Sequence, residues 1–266
     1  MKKIGFIGAG NMAFAIASGA ISSGTISASS IAIFDTNKDQ YKKFDSNCFI
    51  CDTISELINK SDCIFLSVKP QNAKDVLNSI KSYNLSKKII VSICAGITIS
   101  SIEKILGSIK IVRVMPNTPL LIGQGVSAIC FNSIVNEDDL SYVNKIFASS
   151  GTVINVNESD INNITAITGS SPAYVYLFIK SICDAARSLG FDSECTKDIV
   201  CKTFIGASNM VLASEKTLDD LISMVKSPNG TTEKALNVFS ERNLDSIIFD
   251  AMNACSKRAE ELSKLN

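Results

Sequence analysis

The sequence predicts an α/β chain: a Rossmann-type doubly wound, parallel sheet over residues 1–157, then an all-helical part over residues 158–266. Three observations carry that prediction. Short Ile- and Val-rich runs recur through the first part without strict polar alternation, as in strands buried on both faces. Helical patterns separate most of these runs, the rhythm of strand–helix–strand units. After about Asn157 the strand-like runs stop and long helical patterns take over.

The strands are expected at Lys3–Ile7, Ile31–Phe34, Cys63–Val68, Lys88–Ile93, Ile111–Met115, Ala128–Phe131 and Val153–Val156, each a compact apolar run. Helices are expected between them at Asn11–Ser22, Thr53–Asn59, Asn72–Tyr83 and Glu137–Ser149. The second part reads as helices at Pro172–Leu189, Cys195–Ala213, Thr217–Val225, Thr231–Phe239 and Leu244–Leu262. Small residues at Ala185, Ala186, Gly206 and Ala207 would let such helices approach closely. There is no internal repeat or low-complexity linker, so the boundary near 157–160 is a change of architecture.

Composition narrows the chemistry. The chain has 266 residues, 46 % of them hydrophobic and 20 % charged, enough for a sizeable core. Lys+Arg and Asp+Glu both number 26, so the net charge is zero, which argues against a nucleic-acid or anionic-membrane surface. No uninterrupted apolar run reaches membrane-spanning length. Histidine is absent, which removes Ser–His–Asp and Cys–His mechanisms and H-E-x-x-H zinc sites together. Nine cysteines in a chain without a convincing export signal point to reduced thiols and a cytoplasmic protein. Cys48 and Cys51 form a lone C-x-x-C. Without a second pair or a histidine, they read as two half-buried thiols rather than a redox or metal pair, and no metal is expected.

Gly8-Ala9-Gly10-Asn11-Met12-Ala13 matches G-x-G-x-x-G/A, with a strand before it and a helix after it. In the Rossmann-type dinucleotide fold each part has a reason. Gly8 permits the tight turn, Gly10 leaves room for a pyrophosphate, and Ala13 lets helix and strand pack closely. The helix N-terminus offers unpaired N–H groups to the phosphates. Asp35 ends the next strand at about the distance expected for the residue that reads the adenosine ribose 2′-hydroxyl. In that role it favours NADH over NADPH unless Lys38 compensates a 2′-phosphate. As a turn or capping residue it would say nothing about the cofactor.

Further loops fall where ligands bind such sheets, at the carboxyl ends of strands. These are Val68-Lys69-Pro70, Cys94-Ala95-Gly96 and Met115-Pro116-Asn117-Thr118-Pro119. Each alone could be an ordinary turn, and Lys69 either meets a phosphate or ribose or is simply solvated. In the helical part, Ser227-Pro228-Asn229-Gly230-Thr231-Thr232 precedes a helix. It reads either as a helix–helix turn with cap residues or as an anion site of N–H groups and hydroxyls. Thr168-Gly169-Ser170-Ser171-Pro172-Ala173-Tyr174 opens the first long helix.

Taken together, and in this order, the sequence resembles the pyrroline-5-carboxylate reductase family over essentially its whole length. The markers are Ile4-Gly5-Phe6-Ile7-Gly8-Ala9-Gly10-Asn11-Met12, Val68-Lys69-Pro70, Ala95-Gly96, the Met115–Pro119 block, Gly169–Tyr174 and Ser227–Thr232. The resemblance implies reduction of L-1-pyrroline-5-carboxylate to L-proline by NADPH or NADH. It implies that Ser227, Asn229, Gly230, Thr231 and Thr232 hold the substrate carboxylate, that Thr232 orients the ring nitrogen, and that Glu215 belongs to the substrate site. For the cofactor it implies Ile7 to Met12, Val68 to Pro70, Cys94 to Gly96 and Pro116. It also implies a homodimer through the helical domain, with a larger oligomer of dimers built on the same interface.

The chain departs from the family pattern at Asn229, where glycine is usual, and at Asp35, where a small or polar residue is common. A protonated cyclic imine is strongly electrophilic, so a chain without histidine suits this reduction better than alcohol oxidation. Two alternatives differ in kind. A hydroxyacid dehydrogenase of the 3-hydroxyisobutyrate type needs a lysine near the start of its first long helix, yet Gly169–Phe178 has none and Lys180 is the nearest. A non-catalytic nucleotide-binding regulator would keep the glycines and lose the threonine loop.

Overall fold

The computed structural model describes residues 2–265. The chain runs β1 (Ile4–Ile7), α1 (Asn11–Ser22), β2 (Ile31–Phe34), β3 (Phe49–Ile50), α2 (Ile54–Lys60), β4 (Cys63–Leu66), α3 (Pro70–Ile80) and β5 (Ile89–Ser92). It continues with α4 (Ile99–Leu106), β6 (Lys110–Pro116), β7 (Gly125–Phe131), α5 (Glu137–Ala148) and β8 (Gly151–Asn155). The eight strands form one sheet in the order β3-β2-β1-β4-β5-β6-β7-β8. From β1 the chain builds outward through β2 and β3, then returns to lay β4 on the other side of β1. That reversal opens a crevice at the carboxyl ends of β1 and β4, where ligands bind such sheets.

Every pairing is parallel except β6 with β7, which is antiparallel. The expected all-parallel sheet is corrected here by connection length. Only Asn117–Gln124 separates the two strands, with Gly123 at φ 72° closing a short turn. A parallel return needs a crossover of a dozen or more residues. Two elements between β1 and β8 lie outside the sequence expectation. β3 is two exposed residues long, too short to leave a pattern. α4 begins in the serine-rich Thr98–Ser101, where the Thr98 side chain accepts the Ser101 N–H at 3.1 Å and caps the helix.

The sheet is buried on both faces. Phe6, Phe65, Val91 and Val112 face one core, closed by Ile16 and Phe147. Ile7, Ile64, Leu66, Ile90 and Ile111 face the other, closed by Leu57, Leu77 and Ile102. Phe65 stacks between Phe6, at 4.7 Å, and Phe147, at 6.0 Å between ring centroids. Successive residues thus serve opposite cores, which is why the strands lack polar alternation.

After β8 come α6 (Ile161–Ile164), a π-helical turn at Thr165–Gly169, α7 (Ser171–Ser188), α8 (Thr196–Ala213), α9 (Leu218–Val225), α10 (Thr231–Glu241) and α11 (Leu244–Leu265). By packing, the chain forms two compact units. One compact unit runs through Pro172 and takes back the chain from Cys255 onward; the other is Ala173–Ala254. Polar contacts tie the stretch after Asn157 to the sheet unit. Glu158 pairs with buried Arg113 at 2.9 Å and accepts the Ile99 N–H at 2.7 Å. Ser256 and Ser263 in α11 donate to Asn163 and Asn162. Within the second unit only Val200 is buried among the described residues.

Candidate active site

The β1–α1 turn is built as the glycine pattern requires. Gly8 sits at φ 98°, and a Cβ there would lie 2.6 Å from the Ser67 carbonyl oxygen. Ser67, at the end of β4, donates its hydroxyl to the Gly8 carbonyl at 2.7 Å and the Ile7 carbonyl at 3.0 Å. Ala9 and Ile7 are buried, and Ala13 packs α1 on the sheet. Met12 is partly buried and packs against the core. Gly10 caps α1 without a side-chain bond, and a Cβ added to it would touch nothing within 4 Å. The first-turn N–H groups of α1 therefore face open space.

That space is a cleft of about 750 Å³, walled by Ile54, Val68 and Val76 and bordered by Gly8, Gly10, Asn11, Asp35, Lys43 and Lys69. Apolar walls for a base and N–H groups at a helix start fit a dinucleotide. Asp35 lies at this cleft and is held by backbone donors. Its Oδ2 accepts the Ala9 N–H at 2.7 Å and its Oδ1 the Asn37 N–H at 2.8 Å. Its backbone is clasped by the Tyr41 hydroxyl, which accepts from the N–H at 2.9 Å and donates to the carbonyl at 2.7 Å. Asp35 borders the cleft, with its carboxylate already engaged by the glycine loop. Of the lysines after β2, Lys43 borders the cleft and Lys38 does not; Lys69 borders it from the end of β4. Lys43 and Ser67 escaped the sequence reading, because their roles depend on where the turn after β2 and the end of β4 lie in space.

The remaining predicted cofactor residues sit along the same sheet edge. Lys69 caps α3 and Pro70 is its first residue, a position that suits proline. Cys94 lies after β5 and donates its thiol to the Leu66 and Val68 carbonyls at 3.4 and 3.3 Å. Burial pushes this thiol up to about 12, so it stays protonated. Ala95 and Gly96 follow, and Gly96, at φ 75°, lies against Leu262. Pro116 is buried at the end of β6. Next to it, buried Asn117 accepts the Val126 N–H at 2.8 Å and donates to the Thr168 carbonyl at 3.1 Å, joining the π-helical turn to the sheet. Within the Met115–Pro119 block, Asn117 is thus a structural clasp. Cys48 and Cys51 are both buried free thiols, pushed up to about 11 by that burial.

In the second unit, Ser227–Thr232 forms the turn into α10. Asn229 adopts φ 60°, the left-handed backbone that asparagine tolerates. Its N–H donates to Glu233 Oε2 at 2.8 Å, and the Gly230 N–H donates to the Ser227 carbonyl at 2.9 Å. Two of the loop's donors are therefore already spent, which the sequence did not reveal. Thr231 and Thr232 open the helix, and their hydroxyls have no partner among the described residues. A Cβ on Gly230 would lie 2.2 Å from the Ser227 hydroxyl, so only glycine fits. Glu215 lies in the exposed α8–α9 connection and makes no hydrogen bond or ion pair among the described residues.

Residues 158–262 match the family model described as pyrroline-5-carboxylate reductase dimerisation. Residues 3–96 match the one described as NADP oxidoreductase, coenzyme F420-dependent. The pyrroline-5-carboxylate reductase of Vibrio alginolyticus is 37 % identical over 99 % of this chain and 98 % of its own length. That of Escherichia coli is 35 % identical over 99 % of both. Among solved structures, the NADP-bound pyrroline carboxylate reductase of Plasmodium falciparum superposes with a TM-score of 0.92 at 36 % identity, covering 98 % of each chain.

Proposed function

The chain belongs to the pyrroline-5-carboxylate reductase family, and we propose that two of its turns run the reaction, Gly8–Asn11 for the nucleotide and Ser227–Thr232 for the imine acid. It is an NAD(P)H-dependent oxidoreductase that reduces L-1-pyrroline-5-carboxylate to L-proline, completing proline biosynthesis. When bound, NAD(P)H supplies the hydride that reduces the C=N bond.

The substrate assignment rests on the start of α10. The Thr231 and Thr232 N–H groups and hydroxyls are uncommitted there, at the positive end of the helix, while Asn229 and Gly230 spend theirs on shaping the turn. Thr231 and Ser227 hold the carboxylate, and Thr232 orients the ring nitrogen. The imine nitrogen takes its proton from solvent before hydride transfer, so reduction of the iminium gives the neutral amine and no protein acid is required. Glu215 completes the substrate site as its exposed outer member. Ile7 to Met12, Asp35, Val68 to Pro70, Cys94 to Gly96 and Pro116 line or shape the nucleotide side. The alternative as a hydroxyacid dehydrogenase loses further ground at Lys180, whose ammonium is held by Asp184 at 2.5 Å on an exposed helix face.

The protein forms a homodimer, and residues 158–266 supply its interface. The second unit exposes Leu177, Leu212, Phe239 and Phe249 while burying only Val200 among its described residues. Helices packed so thinly need a partner surface. A larger assembly of such dimers, and a cytoplasmic setting that keeps the nine thiols reduced, belong to the same proposal.

Loss of NAD(P)H absorbance that depends on added pyrroline-5-carboxylate tests the reaction. Thr232→Ala is expected to lower kcat/KM for the imine by about ten- to a hundredfold, the scale of one hydrogen bond to a charged group. Nucleotide affinity should hardly change. An equal loss of nucleotide affinity would remove Thr232 from the substrate site.

A further inference from the structure

With the start of α10 taken as the substrate site proposed above, we infer that Glu233 is a positioning residue for it. Its carboxylate fixes which way the Pro228–Asn229 peptide points, and so keeps the Ser227–Thr232 turn in its substrate-binding form.

The turn has two shapes to choose from. Ser227, Pro228, Asn229 and Gly230 form a four-residue turn, closed by the Gly230 N–H on the Ser227 carbonyl at 2.9 Å. Proline in the second place suits both type I and type II turns. The two differ by a half-rotation of the middle peptide, here Pro228–Asn229, and only type II puts its third residue at positive φ. Asn229, at φ 60°, makes this turn type II. Glycine would hold that shape without cost. Asparagine carries a Cβ, so its local preference is for the type I form, in which φ is negative.

A group outside the turn must then hold the peptide, and Glu233 does so. The Asn229 N–H is not used to close the turn and donates to Glu233 Oε2 at 2.8 Å. In an ordinary capping box the third helical residue reaches back to the N-cap N–H. Here Gly230 is the N-cap and its N–H closes the turn, so Glu233 reaches one residue further back. The other carboxylate oxygen lies 4.0 Å from the Lys226 ammonium. That cation offsets part of the negative charge beside a site meant for an anion. A reversed peptide would aim the Pro228 carbonyl, instead of an N–H, at the first turn of α10. Its dipole would oppose a substrate carboxylate there.

The test is steady-state kinetics of imine reduction for the wild type, Glu233→Ala, Glu233→Gln and the double variant Glu233→Ala/Asn229→Gly. Nucleotide affinity is measured separately by NADPH fluorescence, and crystal structures of Glu233→Ala and the double variant accompany the kinetics. Glu233→Ala should raise KM for the imine about tenfold at nearly constant kcat, as when about one molecule in ten keeps the binding-competent turn. Nucleotide affinity should not move, and the crystal structure should show Asn229 at negative φ. Glu233→Gln keeps an acceptor for the Asn229 N–H, so it should recover most of the loss. Glycine adopts the type II form unaided, so Asn229→Gly should rescue Glu233→Ala and return the peptide to its original direction.

An unchanged KM in Glu233→Ala, or a positive φ at Asn229 in its crystal structure, overturns the inference. So does a double variant no better than Glu233→Ala, because Glu233 would then support α10 in general and not the turn. Glu233→Gln as impaired as Glu233→Ala overturns it too, since charge and not the hydrogen bond would carry the effect. Absence of imine-dependent oxidation in the wild type defeats the reductase reading instead, and the two crystal structures still decide what directs the peptide.

Discussion

The sheet unit and the helical unit treat apolar side chains in opposite ways. In the sheet unit, Phe6, Phe65, Phe147 and sixteen isoleucines among the described residues are at most 1 % exposed in two cores, and exposed apolar residues such as Ile122 are scattered. In Ala173–Ala254 the proportion inverts: the large apolar side chains of α7 to α11 face outward, and Val200 is the one buried residue among those described. A domain can bury two sheet faces with its own helices, so the first unit is complete in one chain. The second unit supplies helices whose apolar faces await a second copy. Local sequence rules describe the first well, whereas the stability of the second belongs to the assembly.

The sharpest way to break this comparison is a pair of equally exposed residues. Phe249 in the helical unit and Ile122 in the sheet unit are 68 % and 74 % exposed. On exposure alone, a charge at either site costs little. If the helical face is covered by a second copy, Phe249→Glu dissociates the dimer and removes activity, while Ile122→Glu leaves both intact. Light scattering reads the mass. A Phe249→Glu protein that remains an active dimer would show that this face lies outside the interface.

Within the sheet unit, Phe65→Ala should cost about 3–5 kcal/mol of unfolding free energy, the usual range for an aromatic removed from a packed core. The ring has no exposure and touches Phe6 on one side and Phe147 on the other. Denaturant unfolding measures it, and a loss below about 1 kcal/mol would mean that the two rings collapse into the gap.

This core was legible in the sequence because runs such as Cys63-Ile64-Phe65-Leu66 admit few other readings. So was the glycine turn, whose spacing is nearly a drawing of its geometry. The antiparallel β7 was not legible, since the expected strand ends leave twelve residues between Met115 and Ala128, enough for a crossover, whereas the strands that form run to Pro116 and from Gly125 and leave only eight. β3 was not, because two residues make no pattern, and the serines around Ser100 hid α4. In the site, residue types along the chain marked the Ser227–Thr232 turn and allowed left-handed Asn229. They could not disclose that Asp35 accepts the Ala9 N–H, that Lys43 rather than Lys38 borders the cleft, or that Glu233 takes the Asn229 N–H. Those facts depend on which turns meet once the sheet is formed.

A smaller effect distinguishes an internal clasp of the sheet unit from its hydrophobic packing. Asp139 in α5 is buried and accepts hydrogen bonds from Lys110 and Lys2. Burial alone would raise its pKa, but the two lysines outweigh burial and hold it below the ordinary carboxylate value. The stabilisation is therefore fully present above the unfolded-state pKa, near 3.8, and is lost as pH falls through the lower folded value. Asp139→Asn should cost about 2 kcal/mol at neutral pH, the scale of hydrogen bonds to charged groups. The gap between variant and wild type should narrow in acid. A gap that stays constant with pH would assign the loss to packing rather than to charge.

The smallest expected effect concerns one of the two places, Asn229 and Asn243, where the helical unit carries a left-handed backbone at a residue other than glycine. Asn229 holds φ 60° where glycine would be unstrained. Asn229→Gly relieves that strain but gives the unfolded chain more freedom, and the two terms oppose each other at about 1 kcal/mol or less. The N–H that meets Glu233 at 2.8 Å is backbone and survives the change. The turn should therefore keep its shape, with thermal stability nearly unchanged and kcat/KM for the imine within about threefold of wild type, equivalent to well under 1 kcal/mol. A gain of tenfold or more in kcat/KM, with no change in nucleotide affinity, would mean that the Asn229 side chain crowds the substrate carboxylate. The uncommon residue would then tune the active site instead of merely tolerating its backbone.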